Sequence, residues 1–278
     1  MRNLIVGDIH GCYDELCDVL KQCNYDKKND NLYFTGDMSD RGLDNVKVIR
    51  YLMKLKNYYP VFGNHDVWLQ NFLLSSDNPT VWRVYNGGIK TLLDFAKKEV
   101  PKEEKQQMGE WVREIPLVRI TDNYVVLHGG IPKGMTMEFL TEASKLKRQP
   151  NETLKYESDG KVVDYGDFVW NRGYLVSALK AQKVKSGREN YEFAVLGNVD
   201  EFEPQDIGGR LMFMGHTPLT DPFYSEKYHL VALDTGSCFD GGHITVVDMD
   251  TLDYWQSGKK ESGNLKEKAK TEHVTLFS

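Results

Sequence analysis

"LIVGDIHGCYDEL", residues 4–16, opens as an apolar run and then changes character within a few positions. Leu4, Ile5 and Val6 read as a short buried strand. Gly7, Asp8, His10 and Gly11 follow at once, and a helical pattern begins at about Tyr13. A carboxylate and an imidazole between two glycines, straight after a buried strand, can mean two things. Occurring once, such a stretch is a turn or a helix cap. Recurring, it marks a site.

It recurs. "LYFTGDMSDRG" (32–42) closes an apolar strand with Gly36 and then supplies Asp37, Asp40 and Arg41. "YYPVFGNHD" (58–66) closes with Gly63, Asn64, His65 and Asp66. "YVVLHGG" (124–130) ends in His128 before two glycines, and "LMFMGHTP" (211–218) in Gly215 and His216. Side chains just beyond the carboxyl ends of strands in an open α/β sheet gather along one edge, where ligands bind. Glycine permits the tight turns and a close approach of ligand to backbone. Four of the seven histidines, His10, His65, His128 and His216, lie in these clusters.

Carboxylate, imidazole and amide oxygen without thiolate is a donor set for manganese, iron or zinc. Asp8, His10, Asp37, Asn64, His128 and His216 are too many ligands for one ion. With Asp37 as a bridge they divide into two metals. Such pairs, roughly 3.5–4 Å apart, activate a water and clamp the attacking and leaving oxygens of a phosphoryl group.

The remaining composition narrows the class. The 278 residues suffice for one large core, and 40% hydrophobic with 27% charged content is that of an ordinary globular chain. No apolar run reaches the roughly 18 residues of a membrane span, and residues 1–6 pass directly into a strand without a signal-peptide pattern, so a cytoplasmic location is expected. A net charge of −6 argues against nucleic-acid or anionic-membrane partners. Cys12, Cys17, Cys23 and Cys238 lack paired spacing and read as plain thiols.

Hydrophobic periodicity outlines the chain. Strands at 3–6, 31–35 and 58–62 alternate with helices at 13–23, 43–56 and from about 66, a βαβαβ pattern that implies parallel strands and right-handed crossovers. Helices follow at 88–98 and 102–113, then a hairpin at 116–120 and 124–127. Residues 131–165 are polar and aperiodic and are expected to form an insertion on the rim. Strands return at 211–214, 229–233 and 243–249. A single domain is expected over 1–257, with the lysine-rich 258–278 as a mobile tail.

GDIHG, GDMSDRG, GNHD, HGG and GHT, in this order, resemble the calcineurin-like metallophosphoesterases, and the intact GDMSDRG resembles their phosphoprotein phosphatase branch. "VWNRG" (169–173), "GHTP" and "LDTGSCFDGG" (233–242) look most like the bacteriophage lambda-type protein phosphatases. "GDIHGCYDEL" also resembles the bacterial symmetrical diadenosine tetraphosphatases. The resemblance implies an α/β fold of two mixed β-sheets packed face to face with helices outside. It implies that Asp8, His10 and Asp37 hold the first ion and that Asp37, Asn64, His128 and His216 hold the second, manganese being favoured over iron, zinc or nickel. Arg41 and Arg172 would clamp phosphate beside Asn64. His65, held protonated by Asp40, would be the acid for the leaving group. Asp66 stands where many eukaryotic members carry glutamate, and Asp234 reads as a turn residue.

The resulting expectation is a phosphomonoesterase acting on phosphoserine, phosphothreonine or phosphotyrosine in proteins, through a metal-bridging hydroxide. Hydrolysis of dinucleoside tetraphosphates is the alternative, with Asp40 and "GHTP" favouring the phosphatase. A non-catalytic scaffold is disfavoured because every ligand position is filled.

Overall fold

Three consecutive βα units lay down the first sheet. Strands β1 (Asn3–Val6), β2 (Asn31–Phe34) and β3 (Tyr58–Pro60) run parallel, pairing Leu4 with Leu32 and Leu32 with Tyr58. The intervening helices are α1 (Tyr13–Gln22) and α2 (Asn45–Leu52), and α3 (Asn64–Ser75) follows β3. The coordinates are a computed structural model describing residues 1–145, 155–158, 161–182 and 202–271.

Helix α1 buries Leu16, Val19 and Leu20 on one stripe, with Asp14 and Glu15 in its first turn and Lys21 in its last, the charges its dipole favours. Helix α2 is shorter than its apolar spacing suggests. Residues 40–44 are drawn into the loop above the sheet, where the Gly42 amide donates to the His10 carbonyl and the Asp44 amide to that of Gly11. Helix α3 starts earlier than expected, which places Asn64 and His65 in its first turn. The next helices, α4 (Gly88–Lys97) and α5 (Lys102–Arg113), keep the bounds their periodicity predicts to within a residue.

The second sheet is assembled from the middle and late chain. Strands β4 (Val118–Ile120) and β5 (Tyr124–Leu127) form the expected hairpin. An inserted segment then adds α6 (Met137–Ala143) and a separate two-stranded ribbon, β6 (Lys155–Ser158) and β7 (Lys161–Asp164). Residues 146–154 and 159–160 of the expected rim insertion lie outside the described residues. Short helix α7 (Gly166–Val169) and helix α8 (Gly173–Ala181) carry "VWNRG" between them. Seven successive residues of α8, Gly173 to Leu179, are buried. With no polar face the segment shows no helical period, which is why sequence reading passes over it.

Strands β8 (Leu211–Met214), β9 (Phe223–Ser225) and β10 (Leu230–Ala232) complete that sheet in the order β4-β5-β8-β10-β9, with β5, β8 and β10 parallel. The chain then returns through β11 (Asp234–Thr235), β12 (His243–Asp248) and β13 (Asp253–Gln256) to the first sheet, where β12 lies antiparallel to β1. Side chains alternate as strand geometry requires. Ile5, Tyr33 and Val247 of one sheet meet Val126, Phe213 and Val231 of the other in a common cluster. Their neighbours Leu4, Val6, Leu32, Phe34, Val125, Leu127, Met212 and Met214 join the helices in the larger core. The architecture is α/β, two mixed sheets flanked by helices. Both sheets send the carboxyl ends of parallel strands to one edge. No helix among the described residues is long and apolar enough to cross a membrane.

The mobile tail is corrected by the packing. Strand β14 (Gly263–Asn264) pairs with β13, and α9 (Leu265–Thr271) follows. Leu265 is buried in the inter-sheet cluster, and Lys259 and Lys268 both pair with Asp221. The lysines mask one anchoring leucine in the sequence. Residues 272–278 lie outside the described residues. Leu265→Ala is expected to lower stability by about 2–4 kcal/mol in urea unfolding, the usual loss for a truncated core leucine. A change below about 1 kcal/mol would place this segment on the surface instead.

Candidate active site

The five sequence clusters converge. Among residues with positive φ outside glycine are His10 (46°), Asp37 (64°), Asp40 (77°), Arg41 (62°) and His216 (68°). Such conformations are costly for residues with a Cβ, and they persist where the surrounding structure enforces them. Asp66 does much of the enforcing. Its carboxylate accepts from the amides of Gly63 (2.9 Å), Asp37 (2.9 Å) and Met38 (3.1 Å), tying the loop after β3 to the loop after β2. Burial and the Asp37 carboxylate push Asp66 up to about 6, against the pull of those three donors. A Cβ on Gly63 would fall 2.2 Å from Asp37 Oδ1, so glycine is obligatory there.

Asp37 stands at the centre. Its Oδ1 accepts the His65 amide at 2.8 Å, and its Oδ2 lies 3.3 Å from His128 Nε2 and 3.7 Å from His10 Nε2. Asp37, His10 and His65 form one buried group of close ligand atoms, and Asp37, His128 and His216 form another. His10 donates Nδ1–H to the Ser39 carbonyl (2.8 Å), and His128 donates Nδ1–H to that of Thr35 (2.7 Å). Both rings therefore turn Nε2 inward, because a carbonyl holds the other nitrogen of each, as carbonyls do for metal-binding imidazoles. His128 Nε2 also lies 2.9 Å from Asn64 Oδ1. Asp8 accepts from Thr35 Oγ1 and from the His216 amide, each at 3.0 Å, and sits outside the two closest groups.

The electrostatics fit a bound cation. Burial, then Arg41 and His65, hold His10 well below the ordinary histidine range. Burial, then Arg172 and His128, do the same for His216, whose Nε2 is buried without a hydrogen-bond partner. These two rings are neutral donors. Burial opposes charge on Asp37, but His128 and His65 outweigh it and keep the carboxyl ionised. Burial likewise works against His128, yet Asp37 and Asp8 raise it to about 9, so an ion binding there would have to displace a proton from this ring. Burial and Asp234 push Asp8 well above the usual carboxylate range, a repulsion that a divalent ion relieves. A Cβ on Gly215 would meet Asp8 Oδ1 at 2.0 Å, so the backbone leaves room for the carboxylate alone.

His65 and Arg41 close the site. His65 Nδ1 lies 2.7 Å from Asp40 Oδ2, and that carboxylate also accepts from Trp82 Nε1 (2.6 Å) and Thr91 Oγ1 (2.5 Å). Arg41 reaches His10 Nε2 with Nη1 (2.7 Å) and His65 Nε2 with Nη2 (3.0 Å). Gly87 lets it pass, because a Cβ there would meet Arg41 Cγ at 2.6 Å. Arg172 is close enough to disfavour a proton on His216. It is carried by a segment on which the HGG turn lies flat, with the Gly129 and Gly130 amides donating to the Phe168 carbonyl.

Sequence reading missed the partners of this set. Trp82 lies in a π-helical turn (Val81–Tyr85) and Thr91 in α4, and neither follows a strand. Asp234 is the turn residue expected, accepting the Gly236 amide at 2.9 Å, and it is also a buried carboxylate beside Asp8. "LDTG" follows an apolar strand as the other clusters do, which was the available signal.

Buried carboxylates and neutral imidazoles at a shared strand edge, with an arginine fork above them, define a metal-dependent phosphoester-cleaving centre. The model of the calcineurin-like phosphoesterase family matches residues 1–161, more than half of the chain, and the chain belongs to that family. It is a metal-dependent phosphoesterase. It is 33% identical over 292 residues to a symmetrical bis(5'-nucleosyl)-tetraphosphatase of Photorhabdus laumondii, covering 92% of this chain and 96% of that one. It is 34% identical over 136 residues to the protein of the same name from Hamiltonella defensa. That match spans 47% of this chain and less than half, 45%, of the relative. The crystal structure of a cold-active protein-tyrosine phosphatase from a psychrophilic Shewanella superimposes with a TM-score of 0.56, covering 95% of this chain and 80% of that one. At 16% identity that likeness concerns the fold alone.

These relatives correct the expected activity. Both carry the name of a dinucleoside tetraphosphatase, so the protein phosphatase reading and its phosphoprotein partner are withdrawn. Asp40, expected to favour the phosphatase, does not discriminate between the two. Its carboxylate is fully buried among Trp82, Thr91 and His65, where it supports the imidazole.

Asp66→Ala is expected to cost roughly 3–5 kcal/mol in equilibrium unfolding, because three buried amides lose their acceptor together. A loss below about 1 kcal/mol would mean that the two loops hold their shape independently of Asp66.

Proposed function

We propose that the chain hydrolyses diadenosine tetraphosphate symmetrically, adding water across the central phosphoanhydride and releasing two molecules of ADP. The observation that carries this reading is the 33% identity to the Photorhabdus tetraphosphatase over nearly the full length of both chains. We assign Asp8, His10 and Asp37 to one divalent ion, and Asp37, Asn64, His128 and His216 to a second, with manganese as the ion. Oxygen and imidazole donors without thiolate support that choice. When bound, such ions supply charge neutralisation and an activated water.

The chain's own residues bind, orient and move a proton. Arg41 offers two nitrogens in a fixed fork, the geometry suited to adjacent phosphate oxygens. With His10 and His65 as its present partners, it is already aimed where an anion would sit. Arg172 is near enough to His216 to disfavour a proton there, so a second guanidinium is available to a run of phosphates. His65, fixed through Nδ1 by Asp40, turns Nε2 into the same space and can pass a proton to the departing oxygen. The leaving group here is a nucleoside diphosphate, less basic than an alkoxide, so the demand on this acid is modest.

Incubation with diadenosine tetraphosphate and Mn²⁺ is expected to give ADP as the only nucleotide product by ion-exchange chromatography. AMP with ATP, or no turnover, would contradict the reading. Arg41→Ala is expected to lower kcat/KM by about 2–4 kcal/mol, the scale of one preorganised donor, and Arg41→Lys to recover little because the fork is lost. Kinetics unchanged in both variants would remove Arg41 from the site.

A further inference from the structure

The proposed substrate has two identical ends, and each ends in a base. A ribose and a further phosphate separate each base from the central anhydride. A base therefore cannot rest on the ligand cluster and must fall one step outside it. Two exposed aromatic rings lie at that remove. Trp170, 42% exposed, stands edge-on to His216 at 5.7 Å between ring centroids. Phe239, 41% exposed, lies with its ring centroid 5.8 Å from the Arg41 guanidinium carbon, and Arg41 in turn meets His10. One ring borders the group containing His216, the other the group containing His10, and the two groups share Asp37.

Both rings are held rather than dangling. Trp170 packs edge-on against Trp68 (5.6 Å, 71°), which packs edge-on against His65 (5.2 Å, 86°), and its amide donates to the Gly166 carbonyl. Phe239 sits at the tip of a closed turn, its amide donating to Gly236 and its carbonyl accepting from Gly242. That turn is pinned to the loop after β1 by Ser237 Oγ on the Ile9 carbonyl (3.3 Å) and by Cys12 Sγ on the Ser237 carbonyl (3.5 Å). Exposed aromatic rings fixed in place bind bases by stacking with little ordering cost.

We propose that Trp170 and Phe239 are the two nucleobase platforms, one for each half of the dinucleoside tetraphosphate. The inference rests on the proposed substrate and adds the residues that distinguish a nucleotide from a bare polyphosphate. Stacking tolerates any base, so the platforms select for a nucleoside without selecting adenine over guanine.

The test is equilibrium binding by titration calorimetry to the Mn²⁺-loaded full chain. The probes are a non-hydrolysable methylene analogue of diadenosine tetraphosphate and inorganic tetraphosphate. The wild-type protein is expected to prefer the nucleoside-bearing analogue. Trp170→Ala and Phe239→Ala are each expected to reduce that preference about tenfold, within the range for losing one stacked base, and the double variant about a hundredfold. Trp170→Phe and Phe239→Tyr, which keep a ring, are expected to retain most of it. The proposal is overturned if the wild type shows no preference, if either alanine variant keeps it, or if the ring-retaining variants lose it as fully as alanine does. A wild type that binds with this preference and loses it as described, yet forms no ADP from diadenosine tetraphosphate, would refute the hydrolytic reading and leave the platforms standing.

Discussion

The site depends on one carboxylate that need not touch a ligand. Asp66 gathers the amides of Gly63, Asp37 and Met38 and so locks the loop after β3 onto the loop after β2. Asp37 is thereby held at positive φ with its own Oδ1 on the His65 amide. Asp37, the proposed bridging ligand, and His65, the proposed acid, are positioned by the same clasp. An unpartnered buried carboxylate would be strongly disfavoured, so Asp66 is stable only when both loops are in place, and the loops in turn need Asp66. That reciprocity makes the site a rigid part of the sandwich.

Around this clasp the sheets supply direction and the glycines supply clearance. Parallel strands from both sheets end at one edge, so ligands distant in sequence meet without a dedicated scaffold. Gly63 and Gly215 stand where any Cβ would strike the Asp37 and Asp8 carboxylates, and Gly87 where it would strike Arg41. The strain of His10, Asp37, Asp40, Arg41 and His216 at positive φ is borne by these contacts.

The cluster was legible because metal chemistry restricts donors to a few residue types and strand ends place them in repeated, recognisable contexts. His10, Asp37, Asn64, His65, His128 and His216 lie together, while Asp8, expected among the ligands, sits outside the two closest groups. The supporting groups were not legible. Trp82 and Thr91 reach Asp40 only through packing of a π-helical turn and α4, for which local sequence carries no signal. Helix α8 was hidden by burial on every side, and the last helix by the lysines around Leu265. Asp40 does not mark the substrate class, because its partners make it a support for His65. The same catalytic edge serves different phosphoesters, so the chemistry of the site alone does not name the one it cleaves.

In the proposed centre Asp37 is shared by two ion sites. Counting manganese per chain after gel filtration in the wild type, Asp37→Asn and His216→Ala tests this sharing most directly. Two ions are expected in the wild type, one in His216→Ala and close to none in Asp37→Asn, because Asp37 alone among the described residues belongs to both groups. One tightly held ion in Asp37→Asn, or a single ion in the wild type, would contradict it.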